Sequence, residues 1–234
     1  MNLAPDGPMA IPLWVNGRAF LTVTESFFDV IDAQTGTAVR RVPLCGAEQA
    51  MTAAVAARDA EPAWAALAPA ERRSHLAALA DAVAGYAGHF AKLVRQETGK
   101  SEADAVAEVD AAVAALREAP AAGEPGVVAI VTDAGRPLAA LAEAMAPALA
   151  AGAAVVCKPS PKAPSAAFAL CELSARAGWP AGVLNLMQGD EAAIDGLCAA
   201  APIDRLLYAG GAALGDKVAA IAGRHGKLFA AIPA

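Results

Sequence analysis

The stretch GAAVVCKPSP, Gly152–Pro161, decides the fold. An apolar, β-branched run ends on Lys158 and is stopped by Pro159 and Pro161. Short apolar runs bounded by breakers read as strands buried on both faces. The same grammar recurs on either side. GVVAIVT precedes it, with a helix expected from Pro137 to Ala151 between the two. After it come a helix from Ser165 to Ala177, the run GVLNLMQ, a short helix from Glu191 to Ala199 and the run RLLYAG. A helix through GDKVAAIAGRHG and a last run, KLFAAI, complete the series. Strands alternating with helices predict an α/β fold, a Rossmann-like, doubly wound, mostly parallel sheet.

Upstream the grammar changes. PLWVNGRAFLTV places Asn16-Gly17 between two apolar runs, the strongest short signal for a two-residue hairpin turn. FFDVIDAQTGTAVRRVP predicts a second hairpin turning near Thr35-Gly36. From Glu48 the apolar period becomes 3.6, first through EQAMTAAVAARDAEPAWAAL. After Pro69 the pattern reads as one long helix closed by Gly99, followed by a third helix that stops at Pro120. The expected organisation is one domain over 1–234: N-terminal hairpins over 1–47, a helical layer over 48–119 and the Rossmann-like core over 126–234.

Composition narrows the function. The chain has 234 residues, enough for a sizeable core, and 57% of them are hydrophobic. Glu143, Pro147, Gly152 and Lys158 break the longest apolar stretches before they reach the roughly 20 residues of a membrane span. The opening MNLAPDGPMAIP lacks the basic and apolar regions of a signal peptide, so a cytoplasmic protein is expected. A net charge of -6 without a Lys/Arg cluster argues against a nucleic-acid partner. The four cysteines have no metal-ligand or redox spacing and read as reduced core thiols.

Ligands on doubly wound sheets bind at the carboxyl ends of the strands, and Lys158 closes one of them. The flanking prolines stiffen its loop, so its ammonium could meet a ligand anion or a sugar hydroxyl. The plainer alternative is a solvent lysine ending a strand.

Taken in order, the motifs resemble the NAD(P)-dependent aldehyde dehydrogenases from about Leu13 to about Leu228. LWVNGRAF is similar to that family's opening hairpin, and RQETGKSEADAVAEV carries its Glu97-Thr98-Gly99-Lys100 signature. MAPALAAGAAVVCKPSPKAPSAAFALCELSARAGWPAGVLNLMQGD resembles the nucleotide-binding stretch, and IDRLLYAGGAALG stands where the family has FTGSTxxG. The resemblance implies NAD or NADP as coenzyme. It implies Lys158, with Ser160, on the adenosine ribose, and Gly178, Pro180 and Gly182 in the adenine pocket. Gly210, Gly211 and Leu214 would flank the diphosphate, where a helix N-terminus offers unpaired amides.

The departures from the pattern carry as much information. Where the family has PWNxPL this chain reads TDAGRPL, so Gly135 replaces the asparagine whose amide stabilises the oxyanion. Pro161 replaces the ribose-binding glutamate and Gly211 the diphosphate serine, each change removing a bond of about 1–3 kcal/mol. Coenzyme affinity is therefore expected to be weakened or lost. Phe229 or Ala230 stands at the place of the general base, and the nucleophilic cysteine would lie beyond residue 234. APAAGEP crosses directly where the family inserts an oligomerisation hairpin. Two readings follow. One is a pseudoenzyme that acts as a nucleotide-binding, regulatory or scaffold protein, with a protein partner on the face the family covers with its catalytic domain. The other is the coenzyme-binding component of an oxidoreductase whose catalytic domain is on another chain.

Overall fold

The computed structural model describes residues 7–233, apart from 21, 23 and 25. Residues 1–6, on which the signal-peptide reading partly rests, Leu21 and Val23 of the first hairpin run, and Ala234 lie outside the described residues. The chain opens with β1 (Leu13–Val15) and β2 (Arg18–Phe20). Asn16 and Gly17 join them, both with positive φ, 54° and 74°. That is the turn the Asn-Gly pair predicts, because its twist matches the strands it joins. A second hairpin, β3 (Phe27–Ile31) and β4 (Ala38–Pro43), forms its own two-stranded sheet.

Four helices follow: α1 (Ala47–Ala65), α2 (Pro69–Gly85), α3 (Ala87–Thr98) and α4 (Glu102–Glu118). The single long helix expected after Pro69 is thus two helices. The break falls at Tyr86 (φ -113°, ψ 21°). Gly85 and Gly88 flank it, and each glycine weakens a helix interior by about 1 kcal/mol, so the chain can re-aim there. Ser101 caps α4 by accepting the Asp104 amide at 3.1 Å. Ser101→Ala should cost about 1 kcal/mol, read as a lower denaturant midpoint with an unchanged slope.

The remainder alternates as its periodicity predicts: β5 (Gly126–Thr132), α5 (Ala139–Ala150), β6 (Ala153–Lys158), α6 (Ser165–Arg176), β7 (Leu184–Leu186), α7 (Glu191–Ala199), β8 (Arg205–Gly210), α8 (Ala212–Arg224) and β9 (Leu228–Pro233). The main sheet runs β2-β1-β7-β6-β5-β8-β9, with β5 to β9 parallel. The first hairpin extends it, since β1 pairs antiparallel with β7 through Trp14 and Leu186. From β5 the chain winds one way through β6 and β7, then returns to add β8 and β9 on the other side. The topological switch point, where such sheets open a crevice at their carboxyl ends, lies between β5 and β8.

Every residue of β5 and β6 is buried. The period of two sends Val128, Ile130, Val155 and Cys157 into the core under α5 and α6. Val127, Ala129, Val131, Ala154 and Val156 face the core under α1, α7 and α8. Alanines let α1 sit close on the sheet, with Ala50, Ala53, Ala54 and Ala57 wholly buried. All four cysteines are free and buried.

Candidate functional site

The carboxyl ends of β5 and β6 bring Thr132 and Lys158 to one cavity of about 150 Å³, closed by Ile194 of α7 and by Leu214 and Val218 of α8. Alternation along β6 puts Cys157 on the opposite face, so the thiol and the ammonium do not share a site. Lys158 is 3% exposed, and its ammonium donates to no partner among the described residues. Burial pushes its amine down to about 8, and the nearby Asp190 carboxylate works the other way. The Thr132 side chain is also buried, and its hydroxyl has no hydrogen-bond partner among the described residues. Two residues whose buried polar groups make no hydrogen bond among the described residues therefore line a space smaller than the roughly 300–1,000 Å³ typical of small-molecule pockets.

Beside this cavity, at the switch point, Asp133 follows β5 directly. Its Oδ2 accepts the Gly211 amide at 2.7 Å and its Oδ1 accepts the Gly135 amide at 2.8 Å. Gly211 is the N-cap of α8, so a side-chain carboxylate sits on the first amide of that helix. Tyr208 donates to the Gly211 carbonyl at 2.9 Å. Burial, with Asp133 beside it, pushes the Tyr208 phenol up to about 12. At position 210 a Cβ would lie 2.5 Å from both Asp133 Oδ2 and the Tyr208 hydroxyl, so a side chain there would push the carboxylate aside.

The Glu97-Thr98-Gly99-Lys100 signature works from the far side of the helical layer. Glu97 Oε2 accepts the Ser165 amide at the start of α6, at 3.1 Å. Lys100 is ion-paired with buried Glu108. Glu108 Oε1 in turn accepts the amides of Leu138 and Ala139 at 2.9 and 3.4 Å, where α5 begins without a cap of its own. Asp190 caps α7 through the Ala192 amide at 3.1 Å. Each of the four helices that start at the carboxyl edge, α5 to α8, thus carries an internal carboxylate on its first turn.

Of the residues expected at a coenzyme site, Lys158, Ser160 and Leu214 line the cavity. Gly210 and Gly211 adjoin it through Asp133. Gly178, Pro180 and Gly182 do not belong to it. Helix α6 leaves the carboxyl end of β6 and carries the chain back to the amino end of β7, so the loop 177–183 lies at the other edge of the sheet. There Gly182, with φ +86°, packs on α1 so closely that a Cβ would be 2.7 Å from the Ala56 carbonyl. The loop that does reach the cavity follows β7 instead, through Asp190 and Glu191. Its signal in the sequence is a Gly-Asp pair between an apolar run and a helix, the position of an N-cap. Asp133 escapes a motif-based reading of TDAGRPL, which registers the side chain Gly135 lacks and not the carboxylate two residues before it.

Comparison with known proteins agrees with this geometry. The family model for the aldehyde dehydrogenase family matches residues 20–125 and 120–231, and the chain belongs to that family. It is 30% identical over 232 residues to the malonate-semialdehyde dehydrogenase of Pseudomonas aeruginosa, covering 87% of this chain and 46% of that protein. Among solved structures, lactaldehyde dehydrogenase from Escherichia coli superposes with a TM-score of 0.87 at 26% identity, covering 96% of this chain and 52% of the other. An indole-3-acetaldehyde dehydrogenase mutant of P. syringae, in complex with NAD+ and IAA, gives 0.87 at 26% identity, covering 97% and 51%. The chain spans about half the length of the curated relatives it matches.

Proposed function

We propose that this chain is an aldehyde dehydrogenase-family domain that does not itself oxidise aldehydes and serves as a nucleotide-binding, regulatory or scaffold protein. One observation carries the reading. At the carboxyl end of β5, where the resemblance puts an oxyanion-stabilising amide, stand Gly135 without a side chain and the Asp133 carboxylate. A negative group there opposes a developing oxyanion instead of stabilising it. Support for weakened NAD or NADP binding comes from the small cavity, from Pro161 in place of a carboxylate, and from the carboxylate already on the Gly211 amide. Each of these features removes or opposes a contact that a dinucleotide would use.

Homogeneous protein should turn over no aliphatic or aromatic aldehyde with either coenzyme, and clear turnover would sink this reading. Titration with NADH and NADPH, beside Lys158→Ala, tests the second reading, a coenzyme-binding half of a two-chain oxidoreductase. That reading is favoured by the unpartnered Lys158 ammonium. It requires wild-type binding at micromolar coenzyme and at least a tenfold loss in the mutant, the effect of removing one charge-assisted bond.

A protein partner belongs to the proposal as well. Among the described residues β9 is one of the two outer strands of the main sheet, with Leu228 73% exposed, and open strand edges invite pairing. Slower hydrogen exchange of β9 amides in a partner complex than in the isolated chain is the expected signature; equal rates would exclude this edge. No helix of the described residues is long and apolar enough to cross a membrane. With four free cysteines, the cytoplasm is the location we assign, to be checked by cell fractionation.

A further inference from the structure

In parallel α/β sheets the first amides of the helices at the carboxyl edge are ready-made anion seats. In this protein a carboxylate already stands at the seat on α8, on the amide of its N-cap residue Gly211. Asp133 Oδ2 lies 2.7 Å from the Gly211 amide, its other oxygen is fixed by Gly135, and Gly210 leaves the space the carboxylate occupies. Glu108, Glu97 and Asp190 occupy the corresponding positions on α5, α6 and α7. An incoming phosphate would meet the negative charge of Asp133 there and compete with it for the Gly211 amide.

We propose that Asp133 is a built-in anion that holds the N-terminus of α8 and excludes phosphate-bearing ligands from the β5–β8 crevice. Asp133 is thus a specificity determinant. What remains for the adjoining cavity is a small, phosphate-free ligand whose hydroxyl or carbonyl oxygens can meet Lys158 and the unpartnered Thr132 hydroxyl. Cation and hydroxyl both favour oxygen acceptors, and a space of about 150 Å³ suits a small molecule. The inference rests on the reading that coenzyme affinity is weakened, and it assigns the phosphate-dependent part of that loss to one side chain.

The test compares wild type with Asp133→Asn and the smaller Asp133→Ser, using ADP and adenosine as probes in low salt. ADP affinity should rise about tenfold or more in the variants, from a freed charge-assisted amide bond and a lost like-charge repulsion. Adenosine, which has no phosphate, should show no change between the proteins. Unchanged ADP binding in folded variants would overturn the proposal while leaving the absence of aldehyde oxidation untouched. Equal gains for ADP and adenosine would also overturn it, because the effect would then be one of space and not of charge. Should the variants not fold, the wild-type Gly211 amide resonance decides. Millimolar ADP should leave it in place, and a saturable shift would show that phosphate reaches the seat despite Asp133. Aldehyde turnover, measured on the same samples, separates failure of the wider functional reading from failure of this one.

Discussion

Glu108→Ala should cost the folded protein about 3–5 kcal/mol, the range seen when one partner of a buried ion pair is removed. The Glu108 side chain is 3% exposed and holds three groups at once: the Lys100 ammonium and the amides of Leu138 and Ala139. Truncation strands a partly buried cation and reopens the uncapped start of α5. Because α5 packs against β5, β6 and β8, the damage should be global and appear as a lower denaturant midpoint with little change in slope. Glu108→Gln keeps an acceptor for the two amides and should lose clearly less. If alanine costs under 1 kcal/mol, α5 does not depend on this carboxylate, and the contribution of Lys100 through it falls as well.

The second large effect is one of pH. Burial pushes the Glu97 carboxyl up from an ordinary 4.5 to about 7, against weaker stabilisation from Ser165 and Arg40. Its Oε1 has no partner among the described residues, which is why the charged form is costly there. Between pH 4.5 and 7 the folded state therefore holds a proton that the unfolded chain has released. Stability falls with rising pH wherever the folded state binds more protons. At roughly 1.4 kcal/mol for each tenfold in proton affinity, the ionised side chain costs about 3 kcal/mol above pH 7 and nothing below pH 4.5. Unfolding free energies measured from pH 4.5 to 8 should decline for wild type by about that amount through this residue. Glu97→Gln, neutral throughout and still able to accept the Ser165 amide, should flatten the decline and be the more stable protein at pH 8. A parallel decline in both proteins would assign the slope to other groups.

The architecture is legible in the sequence because its signals are local and repeated. β5 and β6 are continuous apolar runs with breakers at both ends, and Asn16-Gly17 dictates its turn whatever surrounds it. The helix break at Tyr86 is harder to read, since Gly85 and Gly88 weaken a helix without saying whether tertiary packing will override them. The site divides along the same line. Lys158 is visible because it ends a strand, and strand ends have a known side of the sheet. Gly178, Pro180 and Gly182 lie away from this cavity, which a motif's position along the chain does not reveal, because the direction of α6 decides which edge of the sheet their loop reaches. Asp133 bonds to Gly211 across 78 positions. No periodicity reports a contact of that range, although an acidic residue directly after a buried strand at a switch point is a signal that can now be sought.

The glycine at 210 has a consequence for reading other chains. Since a Cβ there would strike both the Asp133 carboxylate and the Tyr208 hydroxyl, the carboxylate keeps its place only while position 210 is glycine, and that glycine is the one in the FTGS motif the chain resembles. The informative letter is therefore the one at 133, where an acid marks a crevice that carries its own plug.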